Sequence, residues 1–158
     1  MIELTQTTSE TGNELIQLVT FTVGDIILGV DIAYVQEINR HLDVTVVPGT
    51  SSMVHGVVNL RGDVVTVIDP HQVFGISPTV APEKQRNLIL QVEGERVGIL
   101  VDDVSDILSV RESELSRRPP NVHRIDSQFI QAVYLREEEL VVVLSALALI
   151  DSIDVSNN

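Results

Sequence analysis

The sequence predicts an all-β fold: two similar five-stranded barrels with short helical turns. Three observations carry that prediction. Hydrophobic residues make up 44 % of the 158-residue chain but aromatics only 3 %, so the core is packed from Val, Ile and Leu, which suit a pleated surface. Short β-branched runs recur between turn residues, the pattern of strands joined by tight loops. The chain also repeats itself. Residues Val23–Ile38 lie without a gap over Val92–Ile107, pairing Gly29 with Gly98, Val35 with Val104, Glu37 with Asp106 and Ile38 with Ile107. Further on, Val57–Arg61 lies over Ala132–Arg136. A unit this long is no solenoid repeat; it implies two small β-subdomains sharing a seam.

Each element has a local reason. Leu18–Val23 alternates Val19, Phe21 and Val23 with threonines, the period of a strand with one face buried. Gly24-Asp25 is a two-residue turn into Ile26–Val30. Asp31 caps a helical turn carrying Ile32 and Val35, and Val44–Val47 is a short strand stopped by Pro48-Gly49. Val57–Leu60 and Val64–Ile68 flank an Arg61-Gly62-Asp63 turn, and Asp69-Pro70 starts a helix leading to Val73 and Phe74. After a Pro- and Ser-containing link, strands follow near Leu88–Val92, Arg96–Val101, Ile107–Val110, Phe129–Leu135 and Leu140–Leu144. Ser145 caps a last helix, Ala146–Ile150. Residues 1–14 read as a flexible tail and 151–158 as another. Between them lies one domain, 15–150, with subdomains at about 15–75 and 88–150 linked by 76–87. Closed barrels remove the edges through which such Val-rich strands aggregate.

Composition excludes several functions. The net charge of −13 is spread along the chain, which argues against nucleic acid and against an anionic membrane surface. There is no cysteine, so disulfides and thiolate metal sites are excluded. No signal peptide is visible, nor any apolar run near the roughly 20 residues that span a bilayer; a cytoplasmic protein without membrane insertion is expected. His41, His55, His71 and His123 share no ligand spacing and sit in no carboxylate pattern, so no metal or cofactor is expected. Asp102 and Asp103 point to opposite faces if they lie on a strand, and a solvated strand end is the simpler reading. Ser51-Ser52, Ser113 and Ser127 lack a nearby base. Nothing is arranged for bond-breaking chemistry, and the sequence predicts no enzyme.

Arg61 puts one guanidinium at the tip of an apolar hairpin. As a structural residue it pairs with a carboxylate, for which Glu37 is the candidate; as a functional one it offers its planar fork to a partner. Arg117, Arg118, His123 and Arg124 form a basic cluster around Pro119-Pro120, either a solvated loop or a contact for an acidic partner.

The run Gly56-Val57-Val58-Asn59-Leu60-Arg61-Gly62, with Val35-Gln36-Glu37-Ile38, Val67-Ile68-Asp69 and Val97-Gly98-Ile99-Leu100-Val101-Asp102-Asp103-Val104, resembles the CheW family of chemotaxis adaptors. The likeness extends from about Ile16 to Ile150. It implies two intertwined SH3-like barrels, no catalysis, and a cytoplasmic scaffold at receptor arrays on the inner face of the membrane. Its partners would be a chemoreceptor's cytoplasmic tip and the regulatory domain of the CheA histidine kinase. Carried over residue by residue, the receptor-contacting region falls on Val35, Glu37, Ile38, Gly56, Asn59, Leu60, Arg61 and Gly62. The kinase contact would use aliphatic side chains among Ile26, Ile27, Val44 and Val46. Pro70-His71 stands where family members commonly carry Leu-Arg, and Lys84 is the single lysine. A specialised paralogue in a gliding, pilus or developmental pathway is the first alternative, and a stand-alone peptide-binding barrel the second.

Overall fold

Ten strands form among the residues that the computed structural model describes, 14–40, 42–49, 53–117 and 125–156. They are β1 (Leu15–Val23), β2 (Ile26–Asp31), β3 (Val35–Asn39), β4 (Val54–Leu60), β5 (Asp63–Ile68), β6 (Arg86–Val92), β7 (Glu95–Val101), β8 (Asp103–Arg111), β9 (Ile130–Arg136) and β10 (Glu139–Leu144). Two α-helices accompany them, α1 (Pro70–Phe74) and α2 (Ala146–Ser156), with four single 3-10 turns. The expected strand at Val44–Val47 does not form; Thr45 alone bridges to Val57. Its place in the sheet goes to β3: the expected helical turn carrying Ile32 and Val35 ends at Tyr34, and Val35 begins a strand.

The strands build two five-stranded sheets, ordered β8-β1-β2-β10-β9 and β3-β6-β7-β5-β4. These sheets cut across the expected contiguous subdomains. One combines the first two strands with the last three, and the other takes everything from β3 to β7. The cause is the parallel pairing of β2 with β10, which brings the last strands back to the first two. Parallel neighbours cannot be joined by a tight turn: after β2 the chain leaves its sheet, builds β3 to β7, and returns at β8, whereas parallel β5 and β7 are joined through α1 and β6. Each sheet curls until its edges approach, with Thr45 bridging to Val57 in one barrel and Ser116 to Val133 in the other.

These pairings fix the internal register. Val23 opposes Ile26 as Val92 opposes Glu95, an offset of 69 residues, whereas Leu60 opposes Asp63 as Arg136 opposes Glu139, an offset of 76. The sequence overlay of Arg61 on Arg136 is therefore one residue out, and Arg61 corresponds to Glu137. Such a slip is easy to make here because strands buried on both faces read as continuous apolar runs; Val141–Leu144 is buried at every position.

Both faces are buried because there are three cores. Phe21, Leu28, Leu88, Leu90, Ile99 and Leu144 fill the seam between the barrels. Val58, Leu60, Val65, Val67, Ile89 and Leu100 fill one barrel, and Leu18, Val110, Ala132 and Val143 the other.

Helix α2 corrects the expected C-terminal boundary. Ser145 Oγ accepts from Ala148 N–H at 3.1 Å and caps it. The helix passes Ile150 and sets Ile153, 6 % exposed, into the seam. Ile153→Ala is expected to cost about 2–5 kcal/mol, read as a lowered urea midpoint. An unchanged midpoint would show that this turn is not part of the core.

Candidate partner-docking site

The candidate site is built on the β4–β5 hairpin. Its turn is two residues, Arg61 (φ 54°) and Gly62 (φ 90°), both left-handed as a primed hairpin turn requires. Asp63 already belongs to β5, opposite Leu60. Gly62 N–H donates to Asn59 Oδ1 at 3.1 Å. Arg61 Nη1 reaches Glu37 Oε2 at 2.9 Å, and Nη2 reaches Oε1 at 3.4 Å. The predicted partner is the observed one, and the pair ties β3 to the hairpin tip where the barrel closes. Arg61's side chain is 75 % exposed against 17 % for Glu37. With its cation this exposed, the pair contributes about 0–1 kcal/mol to stability, while the guanidinium keeps donors facing outward.

The eight residues carried over for receptor contact separate into two groups. Glu37 is half-buried, and Ile38, Asn59, Arg61 and Gly62 are exposed, Ile38 at 46 %. Val35 packs against the seam. Gly56 and Leu60 are buried and present no surface. Leu60 belongs to a barrel core. At Gly56 a Cβ would overlap the Thr45 carbonyl oxygen and the Val44 side chain, so glycine is what lets the 42–49 segment cross β4. Of the kinase candidates, Ile26 packs against the seam and Val44 against a barrel core, Ile27 is half-buried, and Val46 is 70 % exposed.

The sequence reading missed the most connected polar group. Asp102 is not solvated but 2 % exposed. Its Oδ2 accepts from Gly24 N–H at 2.7 Å, Thr79 N–H at 3.1 Å and Thr79 Oγ1 at 3.2 Å. Its Oδ1 accepts from Gln85 Nε2 at 3.0 Å and meets His71 Nε2 at 2.9 Å. His71 Nδ1 meets Asp69 Oδ1 at 2.7 Å. Thus a buried imidazole sits between two carboxylates, contrary to the expectation that no histidine joins a carboxylate pattern. Burial alone would lower the His71 pKa, but the bonds to Asp69 and Asp102 outweigh it and the net shift is upward. Burial would raise Asp102, but bonds from Gly24, Gln85, His71 and Thr79 hold it below its ordinary value. The pair Asp69-x-His71 was visible in the sequence; Asp102, 31 residues on, was not.

Among the described residues no group of three or more His, Asp or Glu is placed to hold a metal, and no helix is long and apolar enough to cross a membrane. Arg117 lies 4.0 Å from Glu112. Ser51-Ser52, His41, Arg118, Pro119-Pro120, His123 and Arg124 lie outside the described residues.

A family model described as the CheW-like domain matches residues 17–154. The chain belongs to this family. Its fold matches the crystal structure of the scaffolding protein TtCheW from Thermoanaerobacter tengcongensis, with a TM-score of 0.76 and 27 % identity, covering 83 % of this chain and 84 % of that one. The chemotaxis protein CheW of Treponema pallidum is 29 % identical over 136 residues, covering 84 % of this chain and 80 % of that protein. The Rhizobium meliloti CheW is 31 % identical over 125 residues, covering 79 % and 81 %. The match thus spans both sheets and α2, well beyond the hairpin motif that first suggested it.

Proposed function

We propose that this CheW-like chain is a non-enzymatic adaptor that couples chemoreceptors to the CheA histidine kinase on the cytoplasmic face of the membrane. The single observation behind this reading is the match to the CheW-like domain from residue 17 to 154, which takes in the whole fold. The exposed face of Ile38, Asn59, Arg61 and Gly62, with half-buried Glu37 beneath Arg61, would meet the receptor tip, a helical surface. Arg61 would contribute its outward guanidinium, while Glu37 sets its direction. The 42–49 segment and the β1–β2 hairpin, with Val46 as the most exposed aliphatic among the candidates, would meet the kinase's regulatory domain.

The test is a titration with the CheA regulatory domain of the same organism, using wild type, Arg61→Ala and Val46→Asp. Both substituted residues are exposed, so the fold should survive; circular dichroism checks it. Saturable binding kept by Arg61→Ala and lost by Val46→Asp is the expected result, with receptor-dependent kinase control lost in Arg61→Ala. Absence of binding to every CheA homologue in that organism would remove the kinase half of the proposal.

A further inference from the structure

We propose that the β9–β10 hairpin, which adjoins the β1–β2 hairpin at Ile26, is a further docking surface beyond the receptor face, for a partner segment that carries lysine or arginine beside aliphatic side chains. Leu135 and Leu140 are cross-strand partners, 66 % and 37 % exposed. The parallel register of Val141 with Ile27 sets Leu140 beside Ile26, which is half-buried against the seam. One apolar stripe therefore crosses three adjacent strands, β9, β10 and β2, and runs from the core out to solvent. Asp25, Glu137, Glu138 and Glu139, all exposed, surround it. The nearby cation, Arg136, is engaged within its own barrel, 3.6 Å from Asp106 and 3.3 Å from Glu139.

The internal register shows how unlike the candidate site this stripe is. The positions equivalent to Leu135, Leu140 and Ile26 in the other barrel are Asn59, Val64 and Glu95. At the turn, Arg61 and Glu137 share the same left-handed backbone, φ 54° in each. One backbone design thus presents a guanidinium on one barrel and acid-ringed leucines on the other. An exposed leucine pair at a sheet's end is a liability unless something covers it, and its acidic surround selects a basic occupant and disfavours an acidic one. The two hairpins suit different partners.

The probe is a labelled helical peptide with leucines at i, i+3 and i+4 flanked by lysines, and a second with glutamates in place of the lysines. Each is titrated against the full chain with backbone amide NMR as the readout. Expected is saturable binding of the basic peptide alone, with shifts centred on Ile26, Leu135 and Leu140. Leu135→Ser and the pair Glu137→Lys, Glu138→Lys should each weaken it about tenfold, while Glu93→Lys, at another exposed hairpin turn, changes it less than about twofold. Equal weakening by Glu93→Lys, shifts scattered over the acidic surface, or equal binding of the acidic peptide would each overturn the proposal. Leu135 is exposed and the lysines replace turn residues, so these variants should fold; their thermal midpoints check that.

Discussion

Asp102→Ala is expected to destabilise the fold by about 3–5 kcal/mol, a large part of the about 5–15 kcal/mol that holds a domain of this size. The carboxylate joins three parts of the molecule. It accepts from Gly24 N–H in the turn between β1 and β2, from Thr79 and Gln85 in the link before β6, and meets His71 on α1. Its own N–H donates to Thr22 O at 2.9 Å, so the end of β7 is bonded to both strands' turn region in the opposite sheet. Without the carboxylate the buried donors of Gly24, Gln85 and His71 have no acceptor, and each orphan costs about 1–3 kcal/mol, whereas exposed Thr79 turns to water. Urea denaturation at pH 6 measures the effect; a loss below about 1 kcal/mol would show that water replaces the network.

The same network makes stability depend on pH, with opposite signs at its two ends. His71 has a folded pKa raised above 6.5, so its contribution is full below 6.5 and is lost as pH rises through the folded value. Asp102 has a folded pKa lowered from 3.8, so its contribution is full above 3.8 and is lost as pH falls through the folded value. Stability from this source is therefore greatest between those ordinary values. The physical reason is simple: with carboxylates on both ring nitrogens, only the imidazolium donates to both. Wild type should lose stability as pH rises above 6.5. His71→Gln should be less stable at pH 6 and should not show that loss. A wild-type profile as flat as the variant's would show that the imidazole's charge carries no weight.

What the sequence revealed followed from local chemistry. Asn59-Leu60-Arg61-Gly62 spells its own turn, since a primed hairpin needs two positive φ angles and Gly62 supplies one without cost. Glu37 was found as the partner of Arg61 because the repeat brings β3 or β8 to the equivalent barrel mouth. The one-residue error between the two hairpins, and the split of sheets between distant segments, have one origin. Seam and barrel cores bury both faces of the central strands, which erases the alternation that sets register. Asp102 was misread for a related reason. Adjacent Asp102 and Asp103 do point to opposite faces, but the inner face leads to His71, and no local pattern announces a partner 31 residues away. Gly56 and Leu60 belong to the motif by resemblance, yet the motif contains buried framework as well as surface.

That distinction gives Gly56→Ala its force. If Gly56 touched the receptor, the substitution would impair coupling and leave the fold alone. The structure assigns it the opposite character. A methyl group at this position overlaps the Thr45 carbonyl, which accepts from Val57 N–H at 2.9 Å while Thr45 N–H donates to Val57 O at 2.8 Å. Backbone is in the way and cannot rotate aside, so the bridge closing this barrel must open. Overpacking of this kind costs about 1–3 kcal/mol. The neighbouring exposed Asn59→Ala should cost about 1 kcal/mol or less, through its bond to Gly62. The displaced segment, 42–49, also carries Val44 and Val46, so Gly56→Ala should weaken the kinase contact together with the receptor contact. Arg61→Ala should weaken the receptor contact alone. Denaturation midpoints and paired titrations separate the two readings: a Gly56→Ala protein with a wild-type midpoint and only receptor coupling lost would return Gly56 to the surface of the site.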